Sequence, residues 1–553
     1  MLKRQNRIKP ILLILAAVAV FARVYRFGSA PGGINQDEAM AAYDAFALSL
    51  YGTDRFGMFM PVHFTAWGYG QMSVLMSYLM TPFIRIFGLS VWTARLPALI
   101  VSLSGLCAVY LLAKELSGES AAVGIFGFCA INPWHIMQSR WALDCNMLPH
   151  FFLFGVFLLY KGIKNGAHKI YLASSMLCFA LCMYAYGIAF YTVPLFLLAA
   201  AIYLMVGKLV DWRGAALCAG VYLLAAWPIF GVMIINFFNL PPLRTPFFTI
   251  PYFPGSIRAG DLLFFSGDPG GQFLRNVKAL FKVAVLQKDG LPWNAIPDFG
   301  ALYMISVPFV IIGIIGCISI LRGRFSIRKA GVVLFAIWFA VALFSGIVVT
   351  EVNINRINII FYPLIFLAGY GIKYTADKLS AINKYAAKAI TTALVLSYGL
   401  LFISFEISYF TDHDKYLSYL FYKGWNESAA YALDATGLSE TAAVAGNGDA
   451  VWDETSTGTL YITAYSQYEG AAAVSEILTL FAGKIDPRYF NGPDYAEHFR
   501  YTDFLNSGYA YNLADNKNRK DAFIFNADYE RQLFPDSRYV NKIFGGYGVA
   551  IPR

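Results

Sequence analysis

From residue 10 to about residue 404 the chain repeats one pattern: an apolar run long enough to cross a bilayer, a short polar segment, then another run. Crossing a hydrocarbon core takes roughly 17 to 25 helical residues. The helix is imposed because no water is present there to satisfy open peptide groups. The runs fall near 10–27, 91–113, 120–135, 149–160, 170–186, 188–206, 214–236, 301–321, 329–348, 357–373 and 386–404. With 58% hydrophobic and only 14% charged residues, the composition lies far from that of a soluble domain, about a quarter of which is charged. The expected fold is a multi-pass α-helical membrane protein with about 11 transmembrane helices. No such run occurs in 405–553, a stretch the size of one domain. The chain is therefore divided into a membrane domain, 1–404, and a soluble domain, 405–553.

Lys and Arg in short loops stay on the cytoplasmic side. The N-terminus carries Lys3, Arg4, Arg7 and Lys9, and every second loop between the runs is basic, with Lys114, then Lys161, Lys164 and Lys169, then Lys208 and Arg213, then Arg322 to Lys329, then Lys373 to Lys388. That alternation places the N-terminus in the cytoplasm. It places loops 28–90 and 237–300 and the C-terminal domain outside. The net charge of +9 then reflects topology, and no nucleic-acid partner is implied. Residues 70–88 form a further apolar run, but Pro82 interrupts it and Arg85 charges it. It is read as a helix lying in the interface beside a second amphipathic helix near 38–51.

Six of the seven cysteines fall in spans, Cys145 sits in an outer loop and the tail has none, so the tail cannot rest on disulfides. No metal-ligand spacing occurs, and Gly267-Asp268-Pro269-Gly270-Gly271 lacks the Lys-Ser/Thr of a phosphate loop and reads as a turn. No cofactor follows from the sequence; a divalent metal stays open. The tail alternates helices (427–434, 472–481) with short β-like runs (460–463, 522–525, 547–551), an α/β or α+β pattern.

Polar residues gather in three outer loops. Asp37 and Glu38 open the first; His135, Arg140, Asp144, Asn146 and His150 occupy the second; Glu351, Asn353, Asn355 and Arg356 lie in a third. Such a set suits glycosyl transfer from a lipid-linked sugar. A carboxylate takes the proton of an attacking hydroxyl, for roughly 100- to 10,000-fold in rate. Arg side chains, with Arg140 and Arg356 as candidates, meet the leaving phosphate with paired donors. Each residue also has a structural reading: Asp37 and Glu38 as first-turn acids of a helix, Asp144 as a cap or a partner of Arg140, the arginines as interface anchors, and the histidines as hydrogen-bonded side chains rather than metal ligands.

The order of motifs adds a resemblance. A first outer loop opening on Asp-Glu, a Phe-Gly-Leu-Ser-x-x-Thr-Ala-Arg-Leu-Pro stretch from Phe87 to Pro97, then Pro-Trp-His-Ile and Ser-Arg-Trp-Ala-Leu-Asp resemble the C-type (GT-C) membrane glycosyltransferases. Within these the chain is most similar to family 39, the protein O-mannosyltransferases, and to the related lipid A aminoarabinose transferases. The resemblance implies an inverting enzyme with a polyprenyl-phosphate sugar donor and a protein, lipid or glycan acceptor on the outer face of the cell membrane. Asp37 takes the place of the catalytic base, Glu38 of its acidic neighbour, Asp144 of the second-loop acid, and Arg356 of a basic residue near the donor phosphate. Where the aminoarabinose transferases have Glu-Lys-Pro, this chain reads Tyr69-Gly70-Gln71-Met72, leaving Gln71 as the candidate there and putting an aminoarabinose donor in doubt. Two other classes compete. A lipid-sugar transporter or flippase would show repeated halves or paired broken helices, and neither is evident; a non-catalytic partner in envelope polymer assembly would need neither acid.

Overall fold

The computed structural model describes residues 2–67, 70–254, 262–439, 458–464, 472–492, 494–506 and 520–553. It is mostly helical, with a mixed sheet near the C-terminus. The helices in chain order are α1 (Leu2–Val24), α2 (Gln36–Tyr51), α3 (Leu75–Phe87), α4 (Val91–Ser117), α5 (Glu119–Ala130), α6 (Pro133–Gln138), α7 (Leu148–Lys164), α8 (Lys169–Ala185), α9 (Ala189–Val206) and α10 (Trp212–Phe237). There follow α11 (Pro269–Ala284), α12 (Val307–Leu321), α13 (Ile327–Val348), α14 (Phe361–Ile382), α15 (Lys384–Ser408), α16 (Asp414–Leu420), α17 (Trp425–Thr436) and α18 (Ala472–Gly483).

Among the described residues, eight helical segments are long and apolar enough to cross a bilayer: those at Val91–Ser117, Asp144–Lys164, Ala189–Val206, Trp212–Phe237, Met304–Leu321, Ile327–Val348, Asn358–Ile382 and Lys384–Leu420. The remaining expected spans are helical as well, but α5 has 12 residues and α8 has 17, and α1 opens on the basic N-terminal stretch. The last span continues past residue 404. A π-helical turn at Tyr409–His413 carries α15 directly into α16. The Asp268 turn is a helix start, with Asp268 accepting from the Gly271 amide at 2.9 Å and Pro269 at the first helical position, where a missing N–H costs nothing.

The chain forms two compact units: Met1–Phe27 with Ala98–Leu240 and Pro254–Thr411, and Gly28–Pro97 with Pro241–Phe253 and Asp412–Arg553. In the first, α12 and α14 touch backbone to backbone. A Cβ added at Gly313 would lie 2.1 Å from the Leu367 carbonyl oxygen, and one at Gly371 would lie 1.9 Å from that of Phe309. Small residues at such a seam let membrane helices approach closely.

In the second unit the sheet has the order β6-β5-β7-β9-β8: β5 (Leu460–Thr463) lies parallel to β6 (Phe499–Thr502) and β7 (Ala522–Asn526), and β9 (Tyr547–Pro552) lies antiparallel to β7 and β8 (Tyr539–Phe544). Aromatic residues Tyr461, Phe523, Phe525, Phe534 and Tyr539 make its core. Helix α2, expected at the interface, is buried nearly all round and packs on both α3 and α18. Its Tyr43 hydroxyl donates to the Ile485 carbonyl at 2.7 Å. Helix α3, with 13 residues, is about 20 Å long and too short to cross the bilayer.

A leucine at Gly313 or Gly371 is expected to lower the thermal midpoint sharply, by the overpacking cost of about 1–3 kcal/mol or more. Alanine at Gly399, where an added Cβ meets nothing within 4 Å, is expected to hold or slightly raise the midpoint in the same detergent melt, as alanine favours a helix over glycine.

Candidate functional site

In the second unit the acidic doublet opens α2. Asn35 caps the helix, its side chain accepting from the Asp37 amide at 2.9 Å, while Glu38 reaches back to the Asn35 amide at 3.2 Å, a capping box that satisfies two otherwise open donors. Glu38 is fully buried. Both of its oxygens are gripped by Arg95, Oε1 from Nε at 2.9 Å and Oε2 from a terminal nitrogen at 2.8 Å. The same guanidinium donates to the carbonyls of Pro31 at 2.6 Å and Gly33 at 3.1 Å, so one side chain at the start of α4 fixes the loop that leads into α2. Glu38, expected as the acidic neighbour of the base, is thus a brace, closed off from solvent with both oxygens engaged.

Asp37 is half-buried, and its Oδ1 accepts from the Trp67 indole N–H at 2.7 Å. Trp67 follows β1 (Phe64–Thr65), whose Thr65 pairs with Gln71 of β2 (Gln71–Met72). Gln71 is buried at the edge of this hairpin, and Tyr69 lies outside the described residues. The hairpin is tied back to α2. Arg55 pairs with Asp44 at 2.5 Å and donates to the Thr65 carbonyl at 2.7 Å; Asp44 lies two turns beyond Asp37 on the same helix face. Helix α2, Arg55, the hairpin and Trp67 close a circuit that returns to Asp37. Burial also pushes Asp54, beside this pair, up to about 7, and pushes Asp44 upward despite Arg55.

The first unit holds the other candidates. Asp144 opens a 3-10 turn, Asp144–Met147, is nearly buried, and accepts from the Cys145 amide at 2.7 Å. Arg356 lies in the loop before α14, where it donates to the Thr350 carbonyl at 2.9 Å and pairs with Glu351 at 3.1 Å, its side chain 22% exposed against 79% for Glu351. These two segments are joined: Asn358 donates to the Cys145 carbonyl at 2.5 Å.

Arg140, expected at the donor phosphate, is fully buried. It donates to the carbonyls of Ala22, Arg23 and Tyr25 at 2.7–3.1 Å, with its guanidinium over the Phe410 ring at 4.7 Å. It closes the open carbonyls at the end of α1, and that work removes it from ligand binding.

The two second-loop histidines sit in a buried relay. Arg23 donates to His135 Nδ1 at 2.9 and 3.2 Å, His135 Nε2 lies 3.0 Å from the Tyr362 hydroxyl, and that hydroxyl lies 2.7 Å from His150 Nδ1. Since Arg23 can only donate, His135 carries its proton on Nε2 and passes it toward Tyr362, which donates to His150. Both histidines are hydrogen-bonded, as their setting suggested. Among the described residues no group of three or more His, Cys, Asp or Glu is placed to hold a metal ion.

Arg95 and Trp67 carry the most weight around Asp37. Arg95 belongs to the Phe87–Pro97 stretch that the sequence singled out, though without a role, and it places a charge near the start of an apolar run; Trp67 did not stand out.

No family model and no curated protein matches the chain. Solved structures do. ArnT from Cupriavidus metallidurans in the apo state matches with a TM-score of 0.54 and 14% identity over 99% of this chain and 98% of that one. The same protein bound to undecaprenyl phosphate matches at 0.53 and 12%, again over 99% and 98%. The oligosaccharyltransferase AglB from Archaeoglobus fulgidus, in complex with an inhibitory peptide and a dolichol-phosphate, matches at 0.55 and 15% over 95% of this chain and 70% of that one. At these identities the likeness speaks for the fold: the chain has the fold of these membrane transferases.

Breaking a buried ion pair on one side strands a charge, at about 3–5 kcal/mol. Arg95→Met is therefore expected to abolish or strongly destabilise folding, and the double variant Glu38→Gln/Arg95→Met to recover part of the loss, read as the yield of monodisperse protein and its melting temperature. A second expectation concerns pH. Asp54 titrates near 7 in the fold against 3.8 ordinarily, so its folded form holds a proton between those values, and its contribution to stability is lost as pH rises through 7. Asp54→Asn is expected to flatten the fall in melting temperature between pH 5 and pH 8.

Proposed function

We propose that this protein is an inverting membrane glycosyltransferase of the GT-C class, akin to family 39, which moves a sugar from a polyprenyl-phosphate donor to an acceptor hydroxyl on the outer face of the cell membrane. The observation that carries the reading is the preparation of Asp37. A carboxylate at a helix start, half-exposed, with one oxygen held by an indole and its helix anchored by a buried Glu38–Arg95 pair, is what a positioned general base requires. The fold shared with ArnT and AglB, of which one structure is bound to undecaprenyl phosphate and another to a dolichol-phosphate, supports the donor class.

In this reading Asp37 takes the proton of the acceptor hydroxyl as its oxygen attacks the anomeric carbon. The bond to phosphate breaks on the opposite face, and the lipid phosphate leaves with the electron pair. The indole N–H of Trp67 orients the carboxylate. Arg356 receives the phosphate. Its pair with the exposed Glu351 is of a kind worth only about 0–1 kcal/mol, so exchange for a phosphate with more charge and paired oxygens is favourable. Asp144 and Gln71 are assigned to substrate orientation.

The test is transfer in vesicles from a polyprenyl-phosphate sugar, scored by release of polyprenyl phosphate. Asp37→Asn is expected to lower the rate at least about 100-fold, with the melting temperature retained; an unchanged rate removes Asp37 as the base. Trp67→Phe is expected to lower kcat with the melting temperature retained, and Arg356→Met to raise KM for the donor more than it lowers kcat.

A further inference from the structure

Helices α7 to α10 of the first unit enclose a groove of about 280 Å³. Its wall on α9 runs from Pro194 to Met205, about 17 Å at 1.5 Å per residue. Leu159, Leu172 and Ala219 line the other sides. Of the lining side chains only Cys218 and Tyr222 carry a hydrogen-bond donor, and the Tyr222 hydroxyl is buried without a partner among the described residues. A buried water needs about two to four polar partners, so the groove offers water no stable place. Three of its helices, α7 with the turn before it, α9 and α10, are long and apolar enough to span a membrane, and hydrocarbon is then the medium at hand.

One end of the groove is polar. Val210 and Ala215 line it there; the exposed Arg213 lies between them and the exposed Lys208 two residues before Val210, with Lys169 one turn before Leu172 on α8. Arg213 lies over the exposed Trp212 ring at 5.5 Å. The one acid of the turn, Asp211, caps α10 by accepting from the Gly214 amide at 2.8 Å. Three cations thus face outward beside a slot the width of a hydrocarbon chain.

We infer that this groove holds one acyl chain of an anionic glycerophospholipid from the bilayer, with the lipid phosphate on Lys208 and Arg213. The site stands apart from the transferase reading, since it uses no residue assigned to that reaction. A chain seated there fills the space between α8, α9 and α10 and holds the basic turn at the headgroup level, where an arginine stacked on a tryptophan is suited to lie.

Cys218 reports occupancy directly. The full chain with Cys107→Ser, Cys178→Ser and Cys317→Ser, stripped of lipid in detergent, is placed in nanodiscs of phosphatidylcholine alone or with phosphatidylglycerol, and reaction of Cys218 with an apolar maleimide is timed; native mass spectrometry counts retained lipid. Phosphatidylglycerol is expected to slow the reaction about 10-fold and to be retained one to one. Lys208→Glu with Arg213→Glu, both exposed, is expected to remove that preference, at roughly 5-fold per cation, without changing the melting temperature. Ala219→Phe, which fills the slot, is expected to abolish retention of either lipid. Equal protection by both lipids, or protection by added polyprenyl phosphate but not by phosphatidylglycerol, would overturn the assignment, as would retention undiminished in Ala219→Phe. Because transfer activity is measured separately, failure here leaves the role of Asp37 untouched, and the reverse.

Discussion

The buried pair of Glu38 and Arg95 governs the acidic end of this molecule. Neither side chain is exposed to solvent, and a carboxylate and a guanidinium in that setting hold together only when nearly all their hydrogen-bonding capacity is met. Glu38 meets it through Arg95 and the Asn35 amide; Arg95 meets it through Glu38 and the carbonyls of Pro31 and Gly33. The loop into α2 therefore has one arrangement that leaves no buried charge unmet. Asp37 inherits its position from that requirement. Its neighbour is committed to structure, while Asp37 stays half-exposed.

The spans were legible because lipid imposes a rule on composition and length together, and a run such as 329–348 obeys both. The acidic doublet was legible as a helix start. Its division of labour was not, since Asp37 and Glu38 are chemically alike and only the partner of each, Trp67 or Arg95, distinguishes them. Those partners are 30 and 57 residues away, and no local pattern announces them. Arg140 misled for a related reason. An arginine in an outer loop reads as a ligand for phosphate, but the end of α1 also presents open carbonyls, and a helix end without partners is costly in a buried setting. Helix α5 shows the limit of hydropathy: the apolar run at 120–135 is interrupted by Asn132 and Pro133, which cap and start α6.

Within the first unit, polar atoms are satisfied by similar economy. Arg23 serves a histidine and three carbonyls, and the Tyr362 hydroxyl stands between two histidines. Gly105 makes the relay fit, because a Cβ there would come within 2.4 Å of that hydroxyl and 2.5 Å of His150 Nδ1. A chain of neutral hydrogen bonds running through apolar surroundings fixes the rotamers of its members. The Trp134 ring stacked on Phe361 at 4.9 Å adds an apolar seal. The segment bearing Arg356 is thereby mounted on a stiff frame.

The second unit is assembled from three stretches of chain that are distant in sequence. Tyr43 and the Ile485 carbonyl it binds are 442 residues apart. At a synthesis rate of about 5–20 residues per second the first stretch waits roughly 20 to 90 s for the last. During that interval α2, which in the finished protein is buried against α18, has no α18 to pack on. The nascent chain must spend it with apolar surface uncovered, and the bilayer into which the intervening helices are being threaded is the nearest shelter. Completion of the unit that carries Asp37 is thus tied to arrival of the last stretch of the chain.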